Sequence, residues 1–148
     1  MRQLAARIGK RLKASRAMLV TAESCTGGWV AQAVTAVAGS SDWFERGFVT
    51  YSNDSKRELL GVRADTLARH GAVSEEAARE MASGALRQSK ASLSVAVTGI
   101  ADRAAAVRPS PWAPCALRGS ARTAGGMPRR GGSQATAKAF VNSPLSMP

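Results

Sequence analysis

Three observations predict an α/β fold, a layered sandwich with helices on both faces of a mostly parallel sheet. Helical periodicities alternate with short apolar runs over the first hundred residues. Each apolar run stops in a turn rich in Gly, Ser or Thr. The run Ser92 to Thr98 is apolar almost throughout, as a central strand covered on both faces must be. At 148 residues the chain is long enough for one domain with a substantial core.

The elements follow in order. Arg2 to Arg16 has Leu4, Ile8 and Leu12 in one stripe and Arg or Lys elsewhere, which predicts an amphipathic helix with a solvated basic face. Met18-Leu19-Val20 is a short strand. After the turn Thr21–Gly28, the spacing of Trp29, Val30, Ala33, Val34 and Val37 predicts a helix ending at Gly39-Ser40-Ser41. Aromatic and β-branched residues make Trp43 to Tyr51 a strand. Ser52 and Asn53 cap a short helix through Leu60 that Gly61 closes, and a further short helix spans Asp65 to Arg69. Ser74 caps a helix from Glu75 to about Gln88, with Glu75 and Glu76 placed favourably in its first turn.

Composition narrows the function classes. No run of about 18 apolar residues exists, so no membrane span is expected. The basic N-terminus is broken up by Arg7, Lys10, Arg11 and Lys13 and does not read as a secretory signal. Two cysteines, Cys25 and Cys115, make no disulfide framework, and a reducing, cytoplasmic setting is expected. His70 is the single histidine and has no ligand cluster around it, so neither a metal site nor a cofactor is expected. The net charge of +11 raises the question of nucleic acid. Its distribution matters more: residues 1–100 carry +5, whereas residues 101–148 carry +6 in under a third of the chain. With aromatics at 5% and no nucleic-acid motif, the sequence offers no stacking platform for such a partner.

The turn Thr21-Ala22-Glu23-Ser24-Cys25-Thr26-Gly27-Gly28 carries the chemistry. A strand that ends in small hydroxyl residues and restarts as a helix leaves backbone N–H groups where negative charge is favoured. Ser24 therefore stands where a nucleophile could, with donors for an oxyanion or a phosphate nearby. The alternative is that Ser24 or Thr26 caps the helix and the glycines turn the chain. Two further strand ends carry polar groups, Tyr51 to Lys56 and Thr98-Gly99, and in open parallel sheets sites form beyond such ends. Taken singly, Lys56 reads as a solvated helix-start lysine and Thr98 as a strand-end hydroxyl. Cys25 is a better intrinsic nucleophile than serine, but no histidine accompanies it and it is expected to be packed.

The ordered set TAESCTGG (Thr21–Gly28), Gly39-Ser40-Ser41, VTYSNDSK (Val49–Lys56), Leu60-Gly61-Val62, GAVS (Gly71–Ser74), Met81-Ala82 and AVTGIA (Ala96–Ala101) resembles the CinA C-terminal domain family. Its enzymatic members are nicotinamide-nucleotide amidases. The resemblance covers about residues 3–101. It implies metal-free hydrolysis of the carboxamide of nicotinamide mononucleotide to nicotinate mononucleotide and ammonia. By resemblance, Ser24 is the nucleophile, Lys56 its general base and Thr98 a third polar member. Tyr51 and Asn53 shape the nicotinamide pocket, and Thr26, Gly27, Gly28 and Gly99 contact the substrate. The resemblance also implies a homodimer.

Past Ala101 the resemblance stops. The family continues with Gly-Pro, a glycine-rich loop, a strand and a final helix, whereas this chain has prolines at 109, 111 and 114 that exclude an ordinary helix or central strand. If one base is missing after the Ala101 codon, Asp102 to Leu117 reads in the neighbouring frame as GPGGGGAAQPVGTVCFA, which restores the family pattern. Residues 1–101 are thus expected to form an incomplete amidase domain. Residues 102–148 are expected to be an aberrant basic, Pro/Gly/Arg-rich tail that is poorly ordered. The closing strand and helix would be lost and a sheet edge left uncovered. Two rival readings follow: an inactive remnant that at most binds nucleotide, and a basic protein associated with nucleic acid.

Overall fold

The computed structural model describes residues 2–99 and the backbone of 116–121. The chain runs α1 (Arg2–Ala14), β1 (Leu19–Glu23), α2 (Trp29–Thr35), a 3-10 turn (Ser40–Asp42), β2 (Phe44–Val49), α3 (Asn53–Leu60), α4 (Ala64–His70), α5 (Glu75–Arg87), β3 (Leu93–Thr98) and β4 (Ala116–Ala121). The sheet order is β2-β1-β3-β4. β1 pairs in parallel with β2 and with β3, and β4 runs antiparallel to β3.

Local chemistry accounts for most boundaries. The Ser52 side chain accepts the Ser55 N–H at the start of α3, and Gly61, at φ 66°, ends that helix with N–H bonds back to its last turn. The Ser74 side chain accepts the Ala77 N–H at the start of α5. β1 is longer than its apolar signal, extending through Thr21 and Glu23, because pairing on both edges satisfies its backbone whatever the side chains are.

The predicted layers are present. Alternate residues of the sheet feed two cores, one on each face. Val20, Ala22 and Ala96 pack with Leu60, Val62, Met81, Ala82, Ala85 and Leu86 beneath α3 and α5. Leu19 packs with Leu12, Val34 and Trp43 on the side of α1 and α2, joined by Phe44, Leu93 and Val95. β2 serves both cores because its register against β1 jumps from Phe44 to Arg46. Skipping Glu45 turns the later residues over, so that Phe44 joins one core and Phe48 the other.

One expectation is corrected. The outer edge of β3 does not stand open: the backbone of Ala116–Ala121 pairs with it from Leu93↔Ala121 to Thr98↔Ala116. A parallel-sheet edge offers a row of N–H and C=O groups, and these accept any extended segment irrespective of its side chains. The prolines at 109, 111 and 114 and the expected loss of the final helix lie outside the described residues.

Candidate active site

The chain leaves β1 through α2 on one face and leaves β2 through α3, α4 and α5 on the other. The carboxyl end of β1, where these paths diverge, is where such a sheet opens a crevice. Ser24 follows β1 directly. Its N–H donates to the Val97 carbonyl of β3 (2.9 Å), and its own carbonyl accepts the Gly27 N–H (3.1 Å). Gly27 and Gly28 have φ of 58° and 99°, a left-handed path that a side chain would strain, so the glycines are what let the turn close under Ser24.

Lys56 comes from the first turns of α3, beyond the end of β2. It is 1% exposed. Its Nζ donates to Ser24 Oγ (3.0 Å) and to the backbone carbonyls of Thr50 (2.8 Å), Tyr51 (3.0 Å) and, at longer range, Ser52 (3.4 Å). Burial pushes the Lys56 ammonium below the ordinary lysine range, and negative charge on the Cys25 sulfur would oppose this. The geometry suits a base. A neutral amine keeps two N–H donors, which the Thr50 and Tyr51 carbonyls take up; its lone pair is then left facing the Ser24 hydroxyl.

The other expected residues divide. Thr98 is buried at the end of β3, but its hydroxyl donates to the Ala72 carbonyl (2.8 Å). Among the described residues it makes no hydrogen bond to Ser24 or Lys56; it ties the loop before α5 to the strand end. The Thr26 hydroxyl donates to Glu23 Oε2 (2.6 Å). The Val30 and Ala31 N–H groups at the start of α2 donate to the same carboxylate (2.9 and 2.8 Å). The protein's own carboxylate thus occupies the anion-favouring helix start. Among the described residues the Thr26 and Gly28 N–H groups remain unengaged in the turn. Tyr51, 72% exposed, stands open at the rim with Asn53, and Gly99 is half-buried. Sequence reasoning missed Glu23 and the Thr50 carbonyl; nothing in the residue types marked either. Among the described residues no group of three or more His, Cys, Asp or Glu side chains is placed to hold a metal, and no helix is long and apolar enough to cross a membrane.

A buried lysine amine on a serine hydroxyl, at a strand-to-helix turn of an α/β sheet, defines the class: an α/β protein with a serine–lysine pair. The model of the CinA C-terminal domain matches residues 1–111, and the chain belongs to that family. Over 99 residues it is 59% identical to the nicotinamide-nucleotide amidohydrolase PncC of Escherichia coli, a match covering 67% of this chain and 60% of that protein. The corresponding protein of Pseudomonas putida is 50% identical over 98 residues, covering 66% of this chain and 61% of the relative. The chain therefore spans about 60% of the length of these curated relatives. Among solved structures, the competence/damage inducible protein CihA of Agrobacterium tumefaciens superposes with a TM-score of 0.78 at 43% identity, covering 92% of this chain and 78% of that one. The competence damage-inducible protein A of Klebsiella pneumoniae gives 0.80 at 34% identity, covering 96% and 83%.

Proposed function

We infer that this chain is built to hydrolyse the carboxamide of nicotinamide mononucleotide. The observation that carries the reading is the Lys56 Nζ–Ser24 Oγ hydrogen bond inside a carbonyl-lined, buried setting. The activity for which the Escherichia coli and Pseudomonas putida relatives are named, nicotinamide-nucleotide amidohydrolase, supplies the substrate. Ser24 Oγ attacks the amide carbon while Lys56 takes the hydroxyl proton. The tetrahedral oxyanion is met by turn N–H groups, for which those of Thr26 and Gly28 are the candidates. Collapse breaks the C–N bond, and the proton held on Lys56 goes to the departing ammonia. Water, deprotonated by the same amine, then cleaves the Ser24 ester and releases the nicotinate product. Tyr51 and Asn53 are assigned to the pocket rim, and Thr98 to holding the loop that carries Ala72 beside it.

The test is ammonia release from nicotinamide mononucleotide by the chain as it stands, with Ser24→Ala and Lys56→Met. Activity lost in both variants supports the reading; activity retained in Ser24→Ala ends it. A second reading, a nucleotide-binding remnant, is favoured by the divergence of residues 102–148 from the family pattern. We read that segment as an out-of-frame tail. A version restored to the neighbouring frame after Ala101 separates the two: release of ammonia only by the restored chain assigns the remnant role to the present one.

A further inference from the structure

Glu23 is the one acidic side chain fully buried among the described residues. Its carboxylate accepts four hydrogen bonds. Oε1 takes the Thr21 hydroxyl (3.4 Å) and the Ala31 N–H (2.8 Å), and Oε2 takes the Thr26 hydroxyl (2.6 Å) and the Val30 N–H (2.9 Å). Among the described residues no lysine or arginine forms an ion pair with it. The charge is held by oriented donors alone. The main chain of the same residue is equally engaged: the Glu23 carbonyl accepts the Thr50 N–H (2.7 Å) and the Thr50 hydroxyl (3.4 Å). The Thr50 carbonyl in turn accepts Lys56 Nζ.

We propose that Glu23 is a positioning residue for the Ser24–Lys56 pair. Its carboxylate fastens the turn that carries Ser24 to the first turn of α2, and its carbonyl fastens the same turn, through Thr50, to the segment that holds Lys56. The need for such a clamp lies in the turn itself. Gly27 and Gly28 leave its backbone permissive, and the bond from the Ser24 N–H to the Val97 carbonyl holds only the β1 end of the turn to β3. Loss of the Glu23–Thr26 bond frees the turn on the side facing α2 and lets Ser24 Oγ drift from Lys56 Nζ. A displacement of about 1 Å at a nucleophile costs about 100-fold in rate. Glu23 acts through Ser24 and touches no reacting atom. The inference rests on Ser24 being the nucleophile and not on which amide it attacks.

The experiment reads the reactivity of Ser24 directly. A fluorophosphonate forms a P–O bond to an activated serine with loss of fluoride, and intact mass with peptide mapping gives the rate at Ser24. Ammonia release from nicotinamide mononucleotide is followed in parallel on the same full-length preparations. Glu23→Gln keeps the shape but replaces an acceptor oxygen with a donor. It is expected to slow labelling by about 10- to 100-fold and to lower kcat by the same factor with KM unchanged. Thr26→Val is expected to slow labelling by about 10-fold, and Thr26→Ser to restore the original rate. A Glu23→Gln protein that is less stable but labels at the original rate has lost only a structural contact, and overturns the proposal. If Glu23→Gln does not fold, Thr26→Val decides: labelling at the original rate overturns the proposal. Labelling that depends on Glu23 without any ammonia release keeps the proposal and removes the amidase reading. Absence of labelling at Ser24 in the unaltered chain overturns both.

Discussion

Lys56 is the residue on which the chemistry and the pH behaviour converge. Its ammonium is pushed below the ordinary lysine range by burial, so the folded chain holds that proton less tightly than the unfolded chain does. Activity is therefore expected to rise with pH through the lowered value, and Lys56→Met to lose about 100- to 10,000-fold in kcat. Because the pair acts as a unit, Ser24→Ala combined with Lys56→Met should be no worse than the more damaging single change. The linkage sign follows. Between the lowered native value and about 10.4 the unfolded state binds more protons, so stability contributed by this site increases with pH. Denaturation midpoints taken across that window should climb in the parent chain, and the Lys56 share of the slope should vanish in Lys56→Met. At this scale the sequence was partly legible. Ser24 and Lys56 were assigned by resemblance, and a lysine early in a helix gives no sign of its own that it points inward. Glu23 was invisible for a related reason: an acidic residue in a polar turn gives no sign of burial, and only the folded turn shows four donors around it.

Among the elements, α5 shows how close packing hides in a sequence. A Cβ on Gly84 would lie 1.9 Å from the Leu60 carbonyl oxygen, which belongs to the end of α3. Backbone cannot swing aside as a flexible side chain can. Gly84→Ala is therefore expected to destabilise the chain by at least about 1–3 kcal/mol, although an alanine inside an isolated helix would stabilise it. Urea unfolding of the purified variant checks the sign. Ser74→Ala removes the acceptor for the Ala77 N–H and should cost about 1 kcal/mol by the same measurement. Helix caps of this kind were readable from residue type, since Ser52, Gly61 and Ser74 each do locally what their chemistry favours. Gly84 was not, because a mid-helix glycine reads only as a modest propensity cost until a neighbouring chain end is known. β4 was missed for the opposite reason: it is held by main-chain pairing, which side-chain patterning does not report.

For the whole molecule, the two cores meet through the sheet, and β1, β2 and β3 each send residues into both. The alternation of strand and helix signals made this layering legible before any coordinates, whereas the order of strands and the half-turn at Glu45 were not encoded in any local pattern. Removal of everything after Gly99 would expose the outer edge of β3 along six residues. Such a shortened chain is expected to unfold at lower urea and to self-associate at concentrations where the full chain stays dispersed, which light scattering on matched samples would read.

The bond from the Ser24 N–H to the Val97 carbonyl spans 73 positions of sequence, and the Met18 N–H reaches the Ser92 hydroxyl across 74. A ribosome delivers Ser24, Thr50 and Lys56 early and the strand that pins them late. For the time needed to add some forty residues after Lys56, the nascent chain carries Ser24 on a turn that lacks its bond to β3. Translation order therefore withholds the Val97 anchor until β3 has emerged, and a chain stopped before Val97 would carry Ser24 and Lys56 with the Ser24 N–H unheld by β3.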